Sequence, residues 1–257
     1  MMNRVPPPIS ACLITCNEAD RIEAALRSLA FCDEIVVLDS GSSDDTVARA
    51  RALGARVEVH AFTGYRSQKA RAVQLCRHDW VLCLDADEVV DRQLAGAIDI
   101  ERNAGLARAP AYRIARLTEY HGAFLRHGEA YPDAVVRLFD RRRARWAGRE
   151  VHEHVAVDGP IANLAGHLEH YSYRSYSEEL AKLERYAEAW STAVHAEGRR
   201  ASLLPMLVNP GWRLFRGFVL KRGFLDGWRG LVYAWTRAAY VRQKYIKLWL
   251  KARGAKS

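Results

Sequence analysis

The first hundred residues alternate between short apolar runs and segments of helical character, and this alternation constrains the fold more than any other feature. Apolar runs bounded by turn residues predict strands at 9–16, 33–40, 55–62 and 79–87. Helical spacing of apolar residues and capping residues predict helices at 18–31, 42–54 and 67–76. Strands that alternate with helices over short loops indicate an α/β fold with a mainly parallel sheet flanked by helices.

The pattern changes after about residue 110. Short strands and turns follow up to 172 and predict antiparallel strands that extend the far half of the sheet, so that the sheet is mixed. A long helix with alternating charge is expected at 177–198, and a basic tail comes after it. We therefore expect an α/β domain over residues 1–175 and a helical C-terminal region over 176–257.

The composition is that of a soluble globular chain. No apolar run approaches the roughly eighteen residues of a transmembrane helix, and the N-terminus leads into a strand without the apolar core of a signal peptide. The five cysteines lack the spacing of zinc or redox sites. We expect buried free thiols and a reducing cytoplasm.

The net charge of +9 is unevenly distributed. Residues 201–257 contain twelve lysines and arginines against one acid, whereas the rest of the chain has 27 basic and 29 acidic residues. A nucleic-acid-binding enzyme would more often place its positive charge around the cleft. We therefore expect no nucleic-acid partner.

Small and polar residues follow the predicted strands where each one ends. Asp39 and Ser40 begin the loop "DSGSSDDT", which allows close backbone approach and supplies hydrogen-bond donors. Ligands of such sheets bind beyond the carboxyl ends of the strands, so this edge is the predicted site. An ordinary turn with a helix cap is the alternative for the loop alone.

The stretch "VLCLDADEVV" places three carboxylates within four positions after a buried strand. Asp85 and Asp87 project to the same side of an extended chain, and Glu88 follows. Like charges so close are costly unless a cation joins them, and Mg²⁺ or Mn²⁺ prefers such oxygen ligands. Lys69, on the preceding helix, could place positive charge beside a diphosphate. A solvated turn and a solvated helix lysine are the alternatives.

Further carboxylates lie in the second half, in "YPDAVVRLF" and "VHEHV". An acceptor hydroxyl that attacks an activated sugar must lose its proton, and a carboxylate such as Asp133 or Glu153 could act as the general base. His152 and His154 share a face from which Glu153 points away. His152 could complete the coordination of a metal, or both histidines could be structural.

These blocks together resemble the family 2 glycosyltransferases with a Rossmann-like GT-A fold, and in particular the bacterial lipopolysaccharide core glucosyltransferases. The resemblance runs from "ISACLITCNEADRIEAALRSL" through "VVLDSGSSDDTVARA", "GYRSQKARA" and "WVLCLDADEVV" to "YPDAVVRLF" and "VHEHV". It implies a nucleotide-binding half at about 8–100 and an acceptor-binding half at about 101–175. It also implies a UDP-sugar donor, a divalent cation, inversion at the anomeric carbon and a lipopolysaccharide or related cell-envelope acceptor.

The resemblance assigns roles residue by residue. Asp85 and Asp87 match the DxD metal motif, with His152 as a further candidate ligand. The residues that match the donor pocket are Thr15, Asn17, Glu18, Asp39, Ser40, Lys69, Asp85 and Ala86. Many family members carry their base in a Glu-Asp pair, which is absent here, so Glu153 is preferred narrowly over Asp133.

Residues 228–251 form an amphipathic pattern at helical spacing. Trp228, Leu231 and Trp235 share one side with other apolar residues, and Arg237 and Lys247 lie on the other. A basic, tryptophan-rich helix of this kind binds anionic membrane surfaces. We therefore expect a cytoplasmic protein that associates peripherally with the inner membrane and uses a lipid-linked glycan acceptor. Packing of the apolar side on the catalytic domain is the alternative.

Three other functions are compatible with parts of the pattern. A sugar nucleotidyltransferase would share the sheet and the metal carboxylates, but "LITCNEADR" lacks the glycine-rich basic signature expected at its first strand. A basic binding module would account for the tail but would leave "DADE" unexplained. A glycosyltransferase that acts on a capsule or exopolysaccharide lipid intermediate differs only in its acceptor.

Overall fold

The computed structural model describes residues 5–150 and 152–254. The strands are β1 (Ile9–Thr15), β2 (Glu34–Asp39), β3 (Arg56–Val59), β4 (Trp80–Asp85), β5 (Glu88–Val90), β6 (Ala111–Tyr120), β7 (Ala123–Phe124), β8 (Asp133–Asp140), β9 (Ala144–Arg149), β10 (His152–Val157) and β11 (Ile161–His170). The helices are α1 (Ile22–Ser28), α2 (Thr46–Ala52), α3 (Tyr65–Leu75), α4 (Arg92–Asn103), α5 (Tyr176–Ala196), α6 (Leu203–Phe215) and α7 (Gly227–Lys251). A π-helical turn (Arg216–Leu220) and a 3₁₀ turn (Gly223–Asp226) connect α6 to α7.

One mixed sheet organises the N-terminal part. Within the described residues its order is β3-β2-β1-β4-β8-β6-β11-β5, and β7 pairs with β6. Parallel ladders join β3, β2, β1 and β4, whereas β8 is antiparallel to both β4 and β6, and β5 is antiparallel to β11. The predicted α/β fold, with antiparallel strands added to a parallel half and helices at the C-terminus, is confirmed.

The parallel register brings the polar strand ends together. Thr15 lies opposite Asp39 in the ladder of β1 and β2, and Ile14 lies opposite Asp85 in that of β1 and β4. Side chains that are distant in sequence therefore share one edge of the sheet. This is the edge at which ligands of open α/β sheets bind.

The predicted strand "HEHVAV" does not extend this sheet. It forms β10, which pairs with β9 as a separate antiparallel hairpin. Trp146 and Val155 of the hairpin pack in one core cluster with Val73 of α3. The expectation that this strand adds to the far half of the sheet is therefore wrong, because its apolar side chains are buried in that cluster.

Helices cover the sheet because alternate side chains of each buried strand point to opposite faces. Leu82 of β4 belongs to the core cluster that contains Leu26 of α1 and Ile98 of α4. Its neighbour Val81 belongs to the cluster that contains Val73 of α3. Parallel strands buried on both faces read as continuous apolar runs, which explains the pattern in the sequence.

The burial of each cysteine depends on its position in these elements. All five are free thiols. Cys12, Cys76 and Cys83 are buried as expected, whereas Cys16 is exposed. Cys16 is the first residue beyond the buried strand β1, so its side chain lies outside the packed core.

The chain divides into two compact units. The first contains the described residues up to Arg116 together with Asp133–His170. The second contains Leu117–Pro132 together with the described residues from Tyr171 onward. All residues to which the sequence assigns donor binding or catalysis belong to the first unit.

In the second unit, α7 packs against α5 and α6. Arg237 donates to the buried Glu179 over 2.8 Å, and Lys247 donates to Glu188 over 2.9 Å. Hydrogen bonds from Lys251 and Lys247 lower the pKa of Glu188 to about 2. The basic side of α7, which the sequence suggested for anionic lipid, is therefore largely engaged in ion pairs with α5.

The apolar side of α7 is divided along its length. Trp228, Leu231 and Trp235 are exposed, whereas Val232 packs against the small core cluster of the second unit. In the described part of the chain, no helix combines the length and the apolar character needed to cross a bilayer.

Two glycines with positive φ should respond differently to alanine. Gly166 of β11 has φ +89°, and a Cβ there would overlap the backbone of Leu94, with the Leu94 Cα at 2.6 Å. Gly54 has φ +82° and nothing within 4 Å of the same position. We expect Gly166→Ala to lower the free energy of unfolding by about 3 kcal/mol or more, and Gly54→Ala by about 1 kcal/mol. Urea unfolding measures both, and equal losses would contradict the close approach of β11 to α4.

Candidate active site

Asp39 ends β2 and organises the loop that follows it. Its Oδ2 accepts hydrogen bonds from the backbone N–H groups of Gly41 and Ser42, each at 2.8 Å, and its Oδ1 accepts the Ser42 hydroxyl at 2.5 Å. Gly41 has φ +93°, a conformation that favours glycine. The buried carboxylate thus holds the small-residue loop in place at the site edge.

The loop after β1 is tied to the same structure. Asn17 accepts from the Ser43 N–H at 2.8 Å and donates its own N–H to the Ser42 hydroxyl at 2.8 Å. The Glu18 N–H donates to the Thr46 hydroxyl at the start of α2, also at 2.8 Å. The residues of the predicted nucleotide pocket therefore form one cross-linked pair of loops.

Two further pocket residues lie beside these loops. The Ser40 hydroxyl accepts from the Gln68 side chain at 3.1 Å. The Thr15 hydroxyl is buried and has no hydrogen-bond partner among the described residues. A buried hydroxyl without a hydrogen-bond partner is uncommon in proteins. The Thr15 hydroxyl is therefore available for a hydrogen bond to a ligand at this end of β1.

Lys69 of α3 joins two of the predicted carboxylates. Its Nζ lies 3.0 Å from Asp85 Oδ1 and 3.0 Å from Glu153 Oε1. The side chain is only 8% exposed, and the ammonium group lies 5.0 Å from the centre of the Trp146 ring. Lys69 thus brings together the end of β4 and the start of β10.

Arg137 of β8 is a buried partner of Asp85 that sequence reasoning missed. Its Nη2 donates to Asp85 Oδ2 at 2.7 Å and to Glu88 Oε1 at 2.6 Å. Arg137 is 3% exposed and Glu88 is fully buried. A single arginine within the apolar strand "DAVVRLFD" was the signal that could have identified it.

Glu88 serves the strand end rather than a ligand. Its Oε2 accepts the backbone N–H of Asp85 at 3.0 Å, while its other oxygen accepts from Arg137. Arg116 adds a third contact at 3.4 Å. The third carboxylate of "DADE" is therefore a buried anchor that holds Asp85 and the turn after it.

The cations around Asp85 keep it ionised. Burial favours the neutral acid and would raise the pKa of the Asp85 carboxyl. The charges of Arg137 and Lys69, with their hydrogen bonds, outweigh burial and hold that pKa far below its usual range. Asp85 is thus a fixed anion at the carboxyl end of β4.

Asp87 occupies the turn after β4, two residues beyond Asp85 and one beyond the buried Ala86. Its Oδ2 lies 3.5 Å from Nε2 of His170, at the end of β11. His170 was not among the residues that the sequence suggested. The side chain of His152, which was suggested, lies outside the described part of the structure.

This pair is the best candidate to hold a divalent cation. Among the described residues, no group of three His, Cys, Asp and Glu side chains could hold a metal ion. Mg²⁺ and Mn²⁺, however, are commonly held by one or two protein carboxylates and completed by phosphate oxygens and water. The carboxylate of Asp87 and the imidazole of His170 fit that requirement, whereas Asp85 already contacts two cationic side chains.

The two candidate bases lie in different surroundings. Glu153 shares Lys69 with Asp85, so it belongs to the group at the end of β4. Asp133 accepts from Arg116 at 2.5 Å, and Arg116 in turn contacts Glu88 rather than Asp85. The structure thus brings Glu153, and not Asp133, directly to the predicted donor site.

Comparison with known proteins identifies the family. The family model for glycosyl transferase family 2 matches residues 10–121. An uncharacterized glycosyltransferase of Rickettsia felis is 33% identical, over 93% of this chain and 91% of the relative. The lipopolysaccharide core biosynthesis glycosyltransferase LpsC of Rhizobium meliloti is 27% identical, over 96% of this chain and 95% of the relative.

One solved structure that the chain resembles matches a smaller part of it. Glucosyl-3-phosphoglycerate synthase of Mycobacterium tuberculosis, crystallised with Mn²⁺, UDP and its product, is 27% identical with a TM-score of 0.36. The match covers 44% of this chain and 44% of that chain.

The relatives define an enzyme class, that of glycosyltransferases. Within that class, the chain belongs to glycosyltransferase family 2. The predicted resemblance is confirmed at this level.

Proposed function

We propose that the protein is an inverting, metal-dependent glycosyltransferase that moves glucose from UDP-glucose to the inner core of a lipopolysaccharide or lipooligosaccharide. The observation that carries the proposal is that Lys69 contacts both Asp85, at the carboxyl end of the parallel strand β4, and Glu153. Family membership supplies the reaction class. The name of the Rhizobium meliloti relative supports a lipopolysaccharide core acceptor.

The donor would bind across the cross-linked loops. Thr15, Asn17 and Glu18 line the nucleotide pocket after β1. Asp39 and Ser40 line it after β2, where the remaining acceptor capacity of Asp39 suits a uracil or ribose group. The buried hydroxyl of Thr15 supports this assignment, because a bound nucleotide would give it a partner.

Positive charge in the pocket would hold the diphosphate. Lys69 lies beside Asp85 and can direct its ammonium group to phosphate oxygens, while Arg137 keeps Asp85 in place. Asp87 and His170, with His152 as a further candidate, would hold Mn²⁺ or Mg²⁺, which neutralises charge on the departing diphosphate. Ala86 brings its backbone close to the donor between the two aspartates.

Glu153 would act as the general base. Its carboxylate takes the proton from the acceptor hydroxyl as that oxygen bonds to the anomeric carbon of the sugar. The bond between that carbon and the diphosphate oxygen breaks in the same displacement, UDP leaves, and the anomeric configuration inverts. No covalent intermediate with the enzyme is required.

Replacing Glu153 by Gln should lower kcat by at least about a hundredfold, because the amide cannot accept the proton. UDP binding should remain within a few-fold of wild type. Steady-state transfer assays and calorimetric titration of UDP measure the two effects.

Glu150→Gln is the matched control. Glu150 follows β9 and accepts from Arg66 and Ser67, whereas Glu153 contacts Lys69, so kcat should hardly change. Asp133→Asn tests the competing base. A larger loss of kcat in Asp133→Asn than in Glu153→Gln would overturn the assignment of Glu153.

A lipid-linked acceptor would place the enzyme at a membrane. We include in the proposal that the protein is cytoplasmic and associates peripherally with the inner leaflet. The excess of basic residues after position 200 supports attraction to the anionic phosphates of such an acceptor.

Transfer to a truncated lipooligosaccharide tests the function directly. The enzyme is incubated with Mn²⁺, radiolabelled UDP-glucose and a lipooligosaccharide that lacks its outer sugars, and label in the glycolipid is counted. UDP-galactose and UDP-N-acetylglucosamine are run in parallel, with a polyprenyl-linked glycan as the competing acceptor. We expect glucose transfer to the lipooligosaccharide. Failure of every UDP-sugar to be transferred or hydrolysed would overturn the proposal.

A further inference from the structure

Helix α6 presents its apolar residues to solvent. Leu204 is 69% exposed and Leu207 is 71% exposed, and no residue of the helix is buried. The outward residues recur at helical spacing over one side. They are Leu203, Leu204, Leu207, Val208, Trp212 and Phe215. This is the reverse of a helix that packs its apolar side on its own domain.

The opposite side of the same helix carries polar contacts. Arg213 lies 3.2 Å from the carboxylate of Glu129, which is only 8% exposed. Arg216 and Lys221 contact the same carboxylate at 3.3 and 3.5 Å. Three cations thus share one anion, which leaves an excess of positive charge at the C-terminal end of α6 and in the turn that follows it.

The exposed apolar character continues into the next elements. Phe224 and Leu225 of the 3₁₀ turn are 48% and 55% exposed, and Trp228 and Trp235 at the start of α7 are 57% and 62% exposed. Of the 21 large apolar side chains that are exposed among the described residues, 13 lie between positions 203 and 235. Such a concentration marks an interaction surface, whereas scattered single residues do not.

The charge of this stretch indicates the kind of partner. Arg213, Arg216, Lys221, Arg222 and Arg229 lie between 201 and 235, together with a single acid. That acid, Asp226, is 9% exposed and accepts the His127 N–H at 2.9 Å. An anionic partner is therefore complementary in charge to this stretch.

We propose that α6, the 3₁₀ turn and the first turns of α7 form a docking surface for an anionic lipid bilayer. This surface deepens the membrane association of the proposed function and differs from the basic side of α7, which is engaged with α5. Leucines would enter the acyl region, tryptophans suit the interface, and Arg222 and its neighbours would meet lipid phosphates. A second copy of the chain fits less well, since a two-fold interface would place these positive charges against each other without acids between them.

Vesicle flotation with a matched pair of variants tests the surface. Leu207→Glu and Ile100→Glu each add a charge to a helix residue that is 71% exposed, but Ile100 lies on α4 in the first unit. Wild type and Ile100→Glu should float with phosphatidylcholine vesicles that contain phosphatidylglycerol. Leu207→Glu, and more so Leu204→Glu/Leu207→Glu, should bind at least about tenfold more weakly. Binding should also fall with added salt and with vesicles of phosphatidylcholine alone.

Three outcomes would overturn the proposal. One is wild-type protein that does not float with anionic vesicles, and another is Leu207→Glu that floats like Ile100→Glu. The third is wild-type protein that binds no vesicles and is a dimer in sedimentation equilibrium, whereas Leu207→Glu is a monomer. That result would assign the surface to a second copy of the chain. UDP titration of the same variants checks folding and reports on the donor site separately. Loss of flotation with intact UDP binding then bears only on the docking surface, and flotation without UDP binding bears only on the proposed function.

Discussion

Replacing Asp87 by Asn should lower the rate of sugar transfer by about a thousandfold. Asp87 is the carboxylate at the strand end that has a histidine beside it, with Oδ2 of Asp87 3.5 Å from Nε2 of His170. An amide retains the shape of the side chain but removes the negative charge that binds a divalent cation. Steady-state transfer at saturating UDP-glucose and Mn²⁺ measures the change.

Asp99→Asn is the control for this substitution, because Asp99 is an exposed carboxylate on α4. It should retain the wild-type rate, and both variants should unfold at nearly the wild-type temperature. A loss of less than about tenfold in Asp87→Asn would remove Asp87 from the metal site and with it the assigned role of the DxD motif.

Replacing Arg137 by Met should lower the free energy of unfolding by about 3–5 kcal/mol. Arg137 is 3% exposed and neutralises both the fully buried Glu88 and Asp85, at 2.6 and 2.7 Å. Methionine fills much of the space but leaves the buried Glu88 with the longer contact of Arg116, at 3.4 Å, in place of two cations. Urea unfolding followed by circular dichroism measures the loss.

Two further variants isolate the cause. Arg77→Met makes the same change at an arginine that is 74% exposed and contacts Glu34 at 3.5 Å, so it should cost less than about 1 kcal/mol. Arg137→Met/Glu88→Gln should recover part of the stability, because the buried charge that Arg137 no longer neutralises has been removed. Equal losses in Arg77→Met and Arg137→Met would show that the buried network does not contribute as the contacts indicate.

Local pattern accounts for the part of the site that lies at the ends of parallel strands. Asp39 and Asp85 each end a continuous apolar run, and parallel strands bring such ends to one edge. Lys69 could also be identified from the sequence, because it lies on the helix before β4. These positions depend only on the order of elements along the chain.

The residues that sequence reasoning missed come from the antiparallel half of the sheet. Arg137 is 52 positions from Asp85, and it reaches Asp85 only because β8 pairs with β4. His170 reaches Asp87 because β11 pairs with β5. Strand order in that half depends on long-range pairing, which no local periodicity encodes.

The C-terminal helices show a second limit. A helical wheel separates the two sides of α7 but does not indicate which neighbour covers each side. Glu179 and Glu188 of α5 form ion pairs with the basic side of α7. The exposed apolar surface begins on α6 and continues onto α7. Only the packing of the three helices determines that arrangement.

Calorimetric titration of UDP into the wild-type protein tests the central claim most directly. The protein is titrated in Mn²⁺ and again after the metal has been removed with a chelator. We predict binding in the micromolar range that requires the metal, since the charge of the diphosphate would then be shared between Lys69 and a cation held by Asp87. Binding that is absent under both conditions, or that is equally strong without the metal, would contradict the account.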